Sequence, residues 1–154
     1  MEGQGWGAST FVRADGIELD DDPARVDTGA VHRFLSEESY WARGRDLTAV
    51  TRLIAEATRV VGAYDGALQV GFARCISDRV SVAWIADVYV LSSHRGRRIG
   101  EDVIRQLIEG STYSHVRWLL GTADAHSFNA RLGFGPPSSR LMERPRLHGD
   151  PPAP

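Results

Sequence analysis

The sequence predicts an α+β domain built on a mixed, mostly antiparallel β-sheet. Two observations lead to this prediction. Alternating or continuous apolar stretches, typical of strands, are interspersed with stretches of 3.6-residue apolar periodicity, typical of helices. The predicted order is a strand, two helices, three strands joined by short turns, a helix, a strand, a helix and a strand. This order differs from the regular strand–helix alternation of a doubly wound nucleotide-binding fold.

Capping residues and turn dipeptides delimit these elements. Asp27 or Thr28 can cap the first helix, and Asp65-Gly66 is a strong hairpin signal. The predicted helices span 28–38, 46–57, 98–109 and 126–132. The predicted strands span 16–19, 59–64, 67–76, 81–90, 116–120 and 138–143.

A chain of 154 residues is expected to fold as one domain. We predict that residues 1–15, rich in glycine and small polar residues, form a flexible arm, and that the folded domain spans residues 16–144. Residues 145–154 hold four of the seven prolines and are predicted to form an irregular tail. The single cysteine, Cys75, excludes an internal disulfide.

Composition narrows the function classes. The net charge of −2 argues against a nucleic-acid-binding protein, because phosphate neutralisation needs an excess of cations. All 18 basic residues are arginine, which excludes lysine Schiff-base chemistry. No apolar run approaches the roughly 18 residues of a membrane helix, and no secretory signal is visible, so we expect a cytoplasmic protein without membrane contact. No metal ligand is assigned, and an exposed sheet edge would allow a homodimer.

The most informative segment runs from residue 87 to residue 100. It combines the end of a predicted strand, a loop with three arginines, and the start of an amphipathic helix. Free N–H groups and the positive end of the helix dipole make such a start an anion site, best suited to phosphate. Arg95, Arg97 and Arg98 add positive charge at an end where cations destabilise the helix. The local pattern also fits a solvated arginine turn.

This loop resembles the acyl-CoA-binding motif of the GNAT superfamily of N-acetyltransferases. The common form, R-G-x-G-x-G, is matched at every position but one, where Arg98 replaces the central glycine. The resemblance covers roughly residues 16–144 and includes a late glycine–phenylalanine signature, Leu132-Gly133-Phe134-Gly135. The matching residues of the loop are Arg95, Gly96, Arg97, Ile99 and Gly100.

The resemblance implies helices on both faces of a sheet that splays apart between the fourth and fifth predicted strands. Acetyl-CoA would be the co-substrate, with its pantetheine arm on main-chain groups of Val88 and Val90. Its pyrophosphate would sit on the N–H groups from Arg95 to Gly100. Tyr89 lies on the same strand and is a candidate for this site, although a strand residue of this kind is better explained as part of the core than as a ligand. The implied reaction is direct transfer of an acetyl group to the amine of a small molecule.

Two positions depart from the family pattern. Glycine at position 98 would allow an unusual φ or a close approach of phosphate. Arginine can fit there if its φ is helical and its side chain points outward onto a phosphate, or it can obstruct the site; we expect binding to be retained. The tyrosine that usually precedes the glycine–phenylalanine signature by four residues, the proposed acid for the CoA thiolate, is replaced by Asn129. An amide cannot act as an acid at neutral pH, although it can hydrogen-bond the sulfur.

Other candidates for catalysis or substrate binding each have a structural alternative. Asp87 is the expected base if it faces the acceptor, or else a buried carboxylate bonded to arginine. His126 could be an acid, a base or simply a helix-start residue. Tyr40 and Trp41 would either line the acceptor pocket or pack against the rest of the domain. The alternative function is a GNAT-fold protein with lost or repurposed chemistry, such as a CoA-binding regulatory module or a non-acetylating biosynthetic enzyme.

Overall fold

A six-stranded sheet forms the centre of the protein, whose computed structural model describes residues 9–145. The strands lie in chain order, and all neighbours are antiparallel except the last two, which are parallel. They are β1 (Thr10–Val12), β2 (Glu18–Asp20), β3 (Arg59–Asp65), β4 (Leu68–Ser77), β5 (Val82–Val90) and β6 (Arg117–Leu120).

Four α-helices accompany these strands in residues 9–145, and side-chain caps mark where two of them begin. The Asp27 carboxylate accepts a hydrogen bond from the N–H of Ala30, and the Asp46 carboxylate accepts one from Ala49. The first helix continues through a π-helical turn, Phe34–Glu38. The helices are α1 (Thr28–Arg33), α2 (Leu47–Ala55), α3 (Ile99–Glu109) and α4 (His126–Ala130).

Each face of the sheet carries its own core, so the predicted α+β fold with helices on both faces is confirmed. Alternation along the strands divides the side chains between the two cores. Val60 and Phe72 pack with α1 and α2, whereas their neighbours Val61 and Ala73 pack with α3. The helix α3 therefore lies against one face of the sheet, and near its start a Cβ on Gly100 would lie 3.5 Å from Val90 of β5.

The strand β5 carries the irregularity that shapes the site. Phe72 and Arg74 of β4 pair with Tyr89 and Ala86, so β5 holds one extra residue at this point. Asp87 lies in this bulge with a φ of 54°. Pairing with β6 ends at Ile85, so the second half of β5 has no partner on that side. This is the predicted divergence of the two parallel strands.

The structure corrects two boundary predictions. Residues 10–12, predicted to belong to a flexible arm, form the edge strand β1, because their backbone pairs with β2. Residues 138–143, predicted as the last strand, form no strand; they follow Pro136-Pro137 and are exposed throughout, so they have no apolar face to bury. Residues 1–8 of the predicted arm, and the predicted tail beyond Pro145, lie outside the described residues.

Candidate active site

A cavity of about 1310 Å³ lies where β5 and β6 diverge. Its wall includes the loop before α3, the start of α4, and the segment that follows the π-helical turn. It brings together twelve of the residues predicted from the sequence: Tyr40, Trp41, Asp87, Val88, Tyr89, Val90, Arg95, Gly96, Arg98, Ile99, Gly100 and Asn129. The other two predicted residues, Arg97 and His126, do not line it.

The loop before α3 presents a row of free backbone donors. Six successive N–H groups, from Gly96 to Glu101, donate to no acceptor in residues 9–145. The N–H of Arg95, predicted to belong to this row, instead bonds the carbonyl of Ser92 at 3.4 Å. A helix start leaves its first N–H groups unsatisfied, and the dipole makes this end positive. The row is therefore an anion site with several donors.

The backbone of this loop depends on two left-handed residues. Gly96 has a φ of 77°, and Arg98 has φ 60° and ψ 19°. The condition of a helical φ is therefore not met: arginine takes the left-handed conformation that glycine adopts at no steric cost. The second condition is met, because the Arg98 side chain points outward and is 74% exposed.

Arg13 and Asp15, near the N-terminal end of the described residues, stabilise this loop through contacts with Arg97 and Asp102. The Arg13 guanidinium donates to the carbonyl of Arg97 at 2.6 Å and forms an ion pair with Asp102 of α3. The Arg97 side chain turns to the same side and bonds Asp15 at 2.9 Å. Arg97 consequently contributes its N–H to the anion site but not its guanidinium, which explains its absence from the cavity wall.

A buried carboxylate organises the charges at the mouth of the anion site. Glu101, in the first turn of α3, accepts hydrogen bonds from Arg131 at 2.8 Å and from Arg98 at 2.7 Å. These bonds, with that from Arg131 the larger, lower the pKa of Glu101. The carboxylate thus holds two guanidiniums beside the free N–H groups. Arg131 directly precedes the glycine–phenylalanine signature, and nothing in that local sequence predicts its contact with Glu101.

The unpaired half of β5 offers a second row of main-chain groups. The N–H of Leu91 bonds the carbonyl of Val70 on β4, so strand alternation directs the main-chain groups of Val88 and Val90 to the open side. The Val90 carbonyl accepts a hydrogen bond from the Arg95 side chain at 3.0 Å. The Tyr89 ring points to the face of the sheet covered by α1 and α2, where it stacks on Phe34 with ring centroids 4.1 Å apart. Tyr89 is therefore a core residue through its side chain.

The Asp87 carboxylate is enclosed by three donors. Arg74 donates to Oδ2 at 2.7 Å, Arg45 to Oδ1 at 3.2 Å, and the indole of Trp41 to Oδ1 at 3.1 Å. The Asp87 side chain is only 4% exposed. Because both oxygens already accept hydrogen bonds from guanidiniums, this geometry is that of a positioning group rather than of a carboxylate free to take a proton.

Tyr40 and Trp41 form part of the wall of the same cavity. Their rings meet edge to face with centroids 5.1 Å apart. The Tyr40 hydroxyl accepts a hydrogen bond from the N–H of Ala123 at 3.0 Å, which ties this segment to the loop after β6. Both predicted aromatic residues are therefore partly buried by specific contacts as well as facing the cavity.

The two remaining candidates for proton transfer differ in position. Asn129 is buried, lines the cavity, and donates its side-chain amide to the carbonyl of Ala125 at 2.9 Å. His126 begins α4, is exposed, and lies outside the cavity wall. The sequence reasoning missed His94, which lines the cavity and bonds Asp65 at 3.0 Å; its neighbourhood depends on the β3–β4 hairpin.

The comparisons with known proteins agree with this geometry. The Acetyltransferase (GNAT) family model matches residues 28–134. A protein of Xanthomonas campestris pv. campestris, assigned as a GNAT-family acetyltransferase, is 36% identical over 83% of this chain and 92% of its own, with a TM-score of 0.77. No curated protein matches the chain.

Two more distant structures support the fold alone. A Deinococcus radiodurans protein assigned as an acetyltransferase is 20% identical, covers 87% of this chain and 94% of its own, and has a TM-score of 0.67. Rv2747 of Mycobacterium tuberculosis, solved in complex with CoA and NLQ, is 16% identical over 77% of this chain and 72% of its own, with a TM-score of 0.61. Within residues 9–145, no helix is long and apolar enough to cross a membrane. The family match over most of the chain, together with the cavity and its free amides, establishes that the chain belongs to the GNAT acetyltransferase family.

Proposed function

We propose that this protein is an N-acetyltransferase that moves an acetyl group from acetyl-CoA to the amine of a small molecule by direct transfer. The observation that carries the proposal is the row of six free N–H groups from Gly96 to Glu101, which borders the same cavity as Tyr40 and Trp41. One cavity can therefore hold an anionic co-substrate and an acceptor side by side.

The residues at the start of α3 fit the diphosphate of a CoA ester. Backbone N–H groups at a helix start bind phosphate oxygens, and the guanidiniums of Arg98 and Arg131 stand beside them on Glu101. Gly100 keeps the helix close to β5: a Cβ there would lie 3.3 Å from Cζ of Phe128 and 3.5 Å from Val90. The main-chain groups of Val88 and Val90 would hold the pantetheine arm.

Acetyl-CoA, when bound, supplies a thioester: the amine forms the new C–N bond, the C–S bond breaks, and the CoA thiolate takes up one proton while the amine loses one. The chain's residues position these groups. The bulge at Asp87 turns the open edge of β5 toward the cavity, where main-chain N–H groups can stabilise the carbonyl oxygen. Asp87 fixes Arg45, Arg74 and Trp41 around the acceptor end.

The proton steps are the part of the chemistry for which this site is least equipped. Asn129 replaces the family's usual phenol and cannot donate a proton as an acid, and His126 lies outside the cavity wall. Solvent in the open cavity, or His94 on its wall, is then the partner for these protons. A general acid is worth roughly 10²- to 10⁴-fold in rate, so we expect slow turnover.

The lack of a proton donor among the predicted residues favours a second candidate function, a CoA-binding module without acetyl transfer. Its support is the absence of an acid or base placed for catalysis among the predicted residues Asp87, His126 and Asn129. It differs from the proposed function in one outcome: binding of acetyl-CoA without turnover on any amine.

Titration calorimetry with acetyl-CoA, followed by a thiol-release assay over a panel of amines, tests the proposal. We expect acetyl-CoA to bind, and acetyl-pantetheine, which lacks the diphosphate, to bind at least tenfold more weakly. Equal affinity for the two thioesters would contradict the role of the α3 amides. Binding without thiol release on any amine would favour the second function.

The variant Asn129→Tyr tests the missing acid, and Asn129→Phe is the control of matched size. We expect the tyrosine variant to release thiol faster than the phenylalanine variant, because only the phenol can protonate the leaving sulfur. Equal rates in the two variants would show that protonation of the thiolate is not a slow step.

A further inference from the structure

We infer that the acceptor carries an oxyanion, a carboxylate or phosphate, in addition to its amine, and that Arg74 and Arg45 bind that group. The inference rests on the proposed function, since it describes the acceptor half of the same cavity. It starts from two guanidiniums that the sequence reasoning did not single out.

Arg74 is the central residue. Its side chain is 8% exposed, it stands opposite Ala86 beside the bulge of β5, and it lines the cavity. The only hydrogen bond of its side chain in residues 9–145 runs from Nε to Asp87, so the terminal nitrogens Nη1 and Nη2 have no partner there. In that part of the chain, the fully buried side-chain nitrogens and oxygens that lack a partner are Nε of Arg59 and the hydroxyl of Tyr64. The terminal nitrogens of Arg74 are not among them. Since they lack a partner, they are accessible at the cavity surface.

Arg45 adds a second set of unused donors. It lines the same cavity, its side chain is 17% exposed, and it bonds Asp87 through Nη1 alone. Asp87 thus fixes both guanidiniums by one edge and leaves their other N–H groups open. The fixed, planar forks match the geometry of a carboxylate or phosphate, which can accept two parallel hydrogen bonds.

The charge balance of this cluster points the same way. Two guanidiniums share one carboxylate, which leaves a net charge of +1 in a mostly buried position. In residues 9–145, Asp87 is the one carboxylate within 4.0 Å of Arg45 or Arg74. An uncompensated buried cation is costly, and an anion delivered by the substrate would remove that cost. The anion site at α3 is served by different arginines, Arg98 and Arg131.

Matched pairs of acceptors test the inference by thiol release with acetyl-CoA. One pair set compares α-amino acids with the amines left after removal of the carboxylate, and a second compares glucosamine 6-phosphate with glucosamine. We expect at least one oxyanion-bearing member to exceed its partner at least tenfold in kcat/KM. The set that shows the preference tells carboxylate from phosphate. Turnover with no preference in either set would overturn the inference and leave the proposed function standing.

The variant Arg45→Gln tests the assignment to residues, because Arg45 is the less buried of the pair. We expect the preference for the oxyanion-bearing member to fall about 10- to 100-fold, as for loss of a hydrogen bond to a charged group. Arg43→Gln is the matched control: it lies two residues away, is exposed, and does not line the cavity. A preference unchanged in Arg45→Gln, or equally reduced in Arg43→Gln, would overturn the assignment.

Calorimetric titration of the same pairs into the CoA-saturated protein covers the case without turnover. If no amine releases thiol, the proposed function fails. The inference then stands only if an oxyanion-bearing ligand binds at least tenfold more tightly than its partner and Arg45→Gln removes that difference. Weak binding of both members in every pair would overturn it.

Discussion

The left-handed conformation of Arg98 gives a prediction whose magnitude follows from the structure. Its φ of 60° and ψ of 19° cost a residue with a Cβ about 1–2 kcal/mol relative to glycine in the folded state. Glycine in turn loses about 0.4–1 kcal/mol more backbone entropy on folding than alanine does. At the middle of these two ranges, Arg98→Gly is more stable than Arg98→Ala by about 0.8 kcal/mol.

This pair of variants isolates the backbone effect. Both lose the hydrogen bond from Arg98 to Glu101, which is worth little because the arginine side chain is 74% exposed. Both also remove a cation from a helix N-terminus, which favours the helix by a few tenths of a kcal/mol. The side-chain effects therefore cancel in the comparison of glycine with alanine.

Equilibrium urea denaturation of the two variants measures the difference as a shift in midpoint at constant slope. An alanine variant as stable as the glycine variant, or more stable, would refute a left-handed residue at position 98. Acetyl-CoA affinity measured on the same samples shows whether the loop keeps its binding geometry. We expect the glycine variant to bind at least as well as the alanine variant.

Three further substitutions have expected outcomes. Glu101→Gln should destabilise the protein at pH 7. The folded-state pKa of Glu101 is lowered, so its carboxylate stabilises the protein above the usual pKa of 4.5, and this stabilisation is lost as pH falls through the folded-state pKa. A difference in urea stability between variant and parent that stays constant down to pH 3 would contradict this. Trp41→Phe removes the indole donor to Asp87 and should cost about 1–2 kcal/mol by urea denaturation, whereas unchanged stability would mean that this bond contributes nothing. Gly100→Val overfills the contact with Phe128 and should cost about 1–3 kcal/mol in the same assay, while Gly135→Val, in open space, should cost far less; equal costs would contradict the close approach.

Much of the fold and the anion site could be predicted because their signals are local. The caps at Asp27 and Asp46 sit next to the helices they start. The arginine-rich loop adjoins both the strand and the helix that position it, so residues 87–100 describe the α3 end of the cavity almost by themselves.

The acceptor end could not be predicted in the same way because its contacts join distant parts of the chain. Arg45 lies 42 residues before Asp87, and Arg74 lies 13 residues before it on the neighbouring strand. The pairing depends on the bulge, which no sequence period reveals. Of these three residues, only Asp87 was predicted from the sequence, as a carboxylate at the end of a strand. Its role depends on Arg45 and Arg74, which the sheet register brings next to it.

Arg98 shows a third kind of limit. The family pattern indicated that glycine belongs at this position, and a helical φ was the simplest way to fit arginine. The structure keeps the glycine-like backbone instead, with Arg13 bonding the carbonyl of the preceding residue from 84 residues away. The support came from a segment predicted to be a flexible arm, so the sequence offered no reason to expect it.

Amide chemical shifts during titration with CoA test the central claim most directly. If the free N–H groups of residues 96–101 bind the diphosphate, the ¹⁵N–¹H resonances of these six residues will move most, and pantetheine at the same concentration will leave them in place. The opposite pattern, with these six resonances unmoved while others shift under CoA, would contradict the assignment of the α3 end of the cavity as the site of the co-substrate.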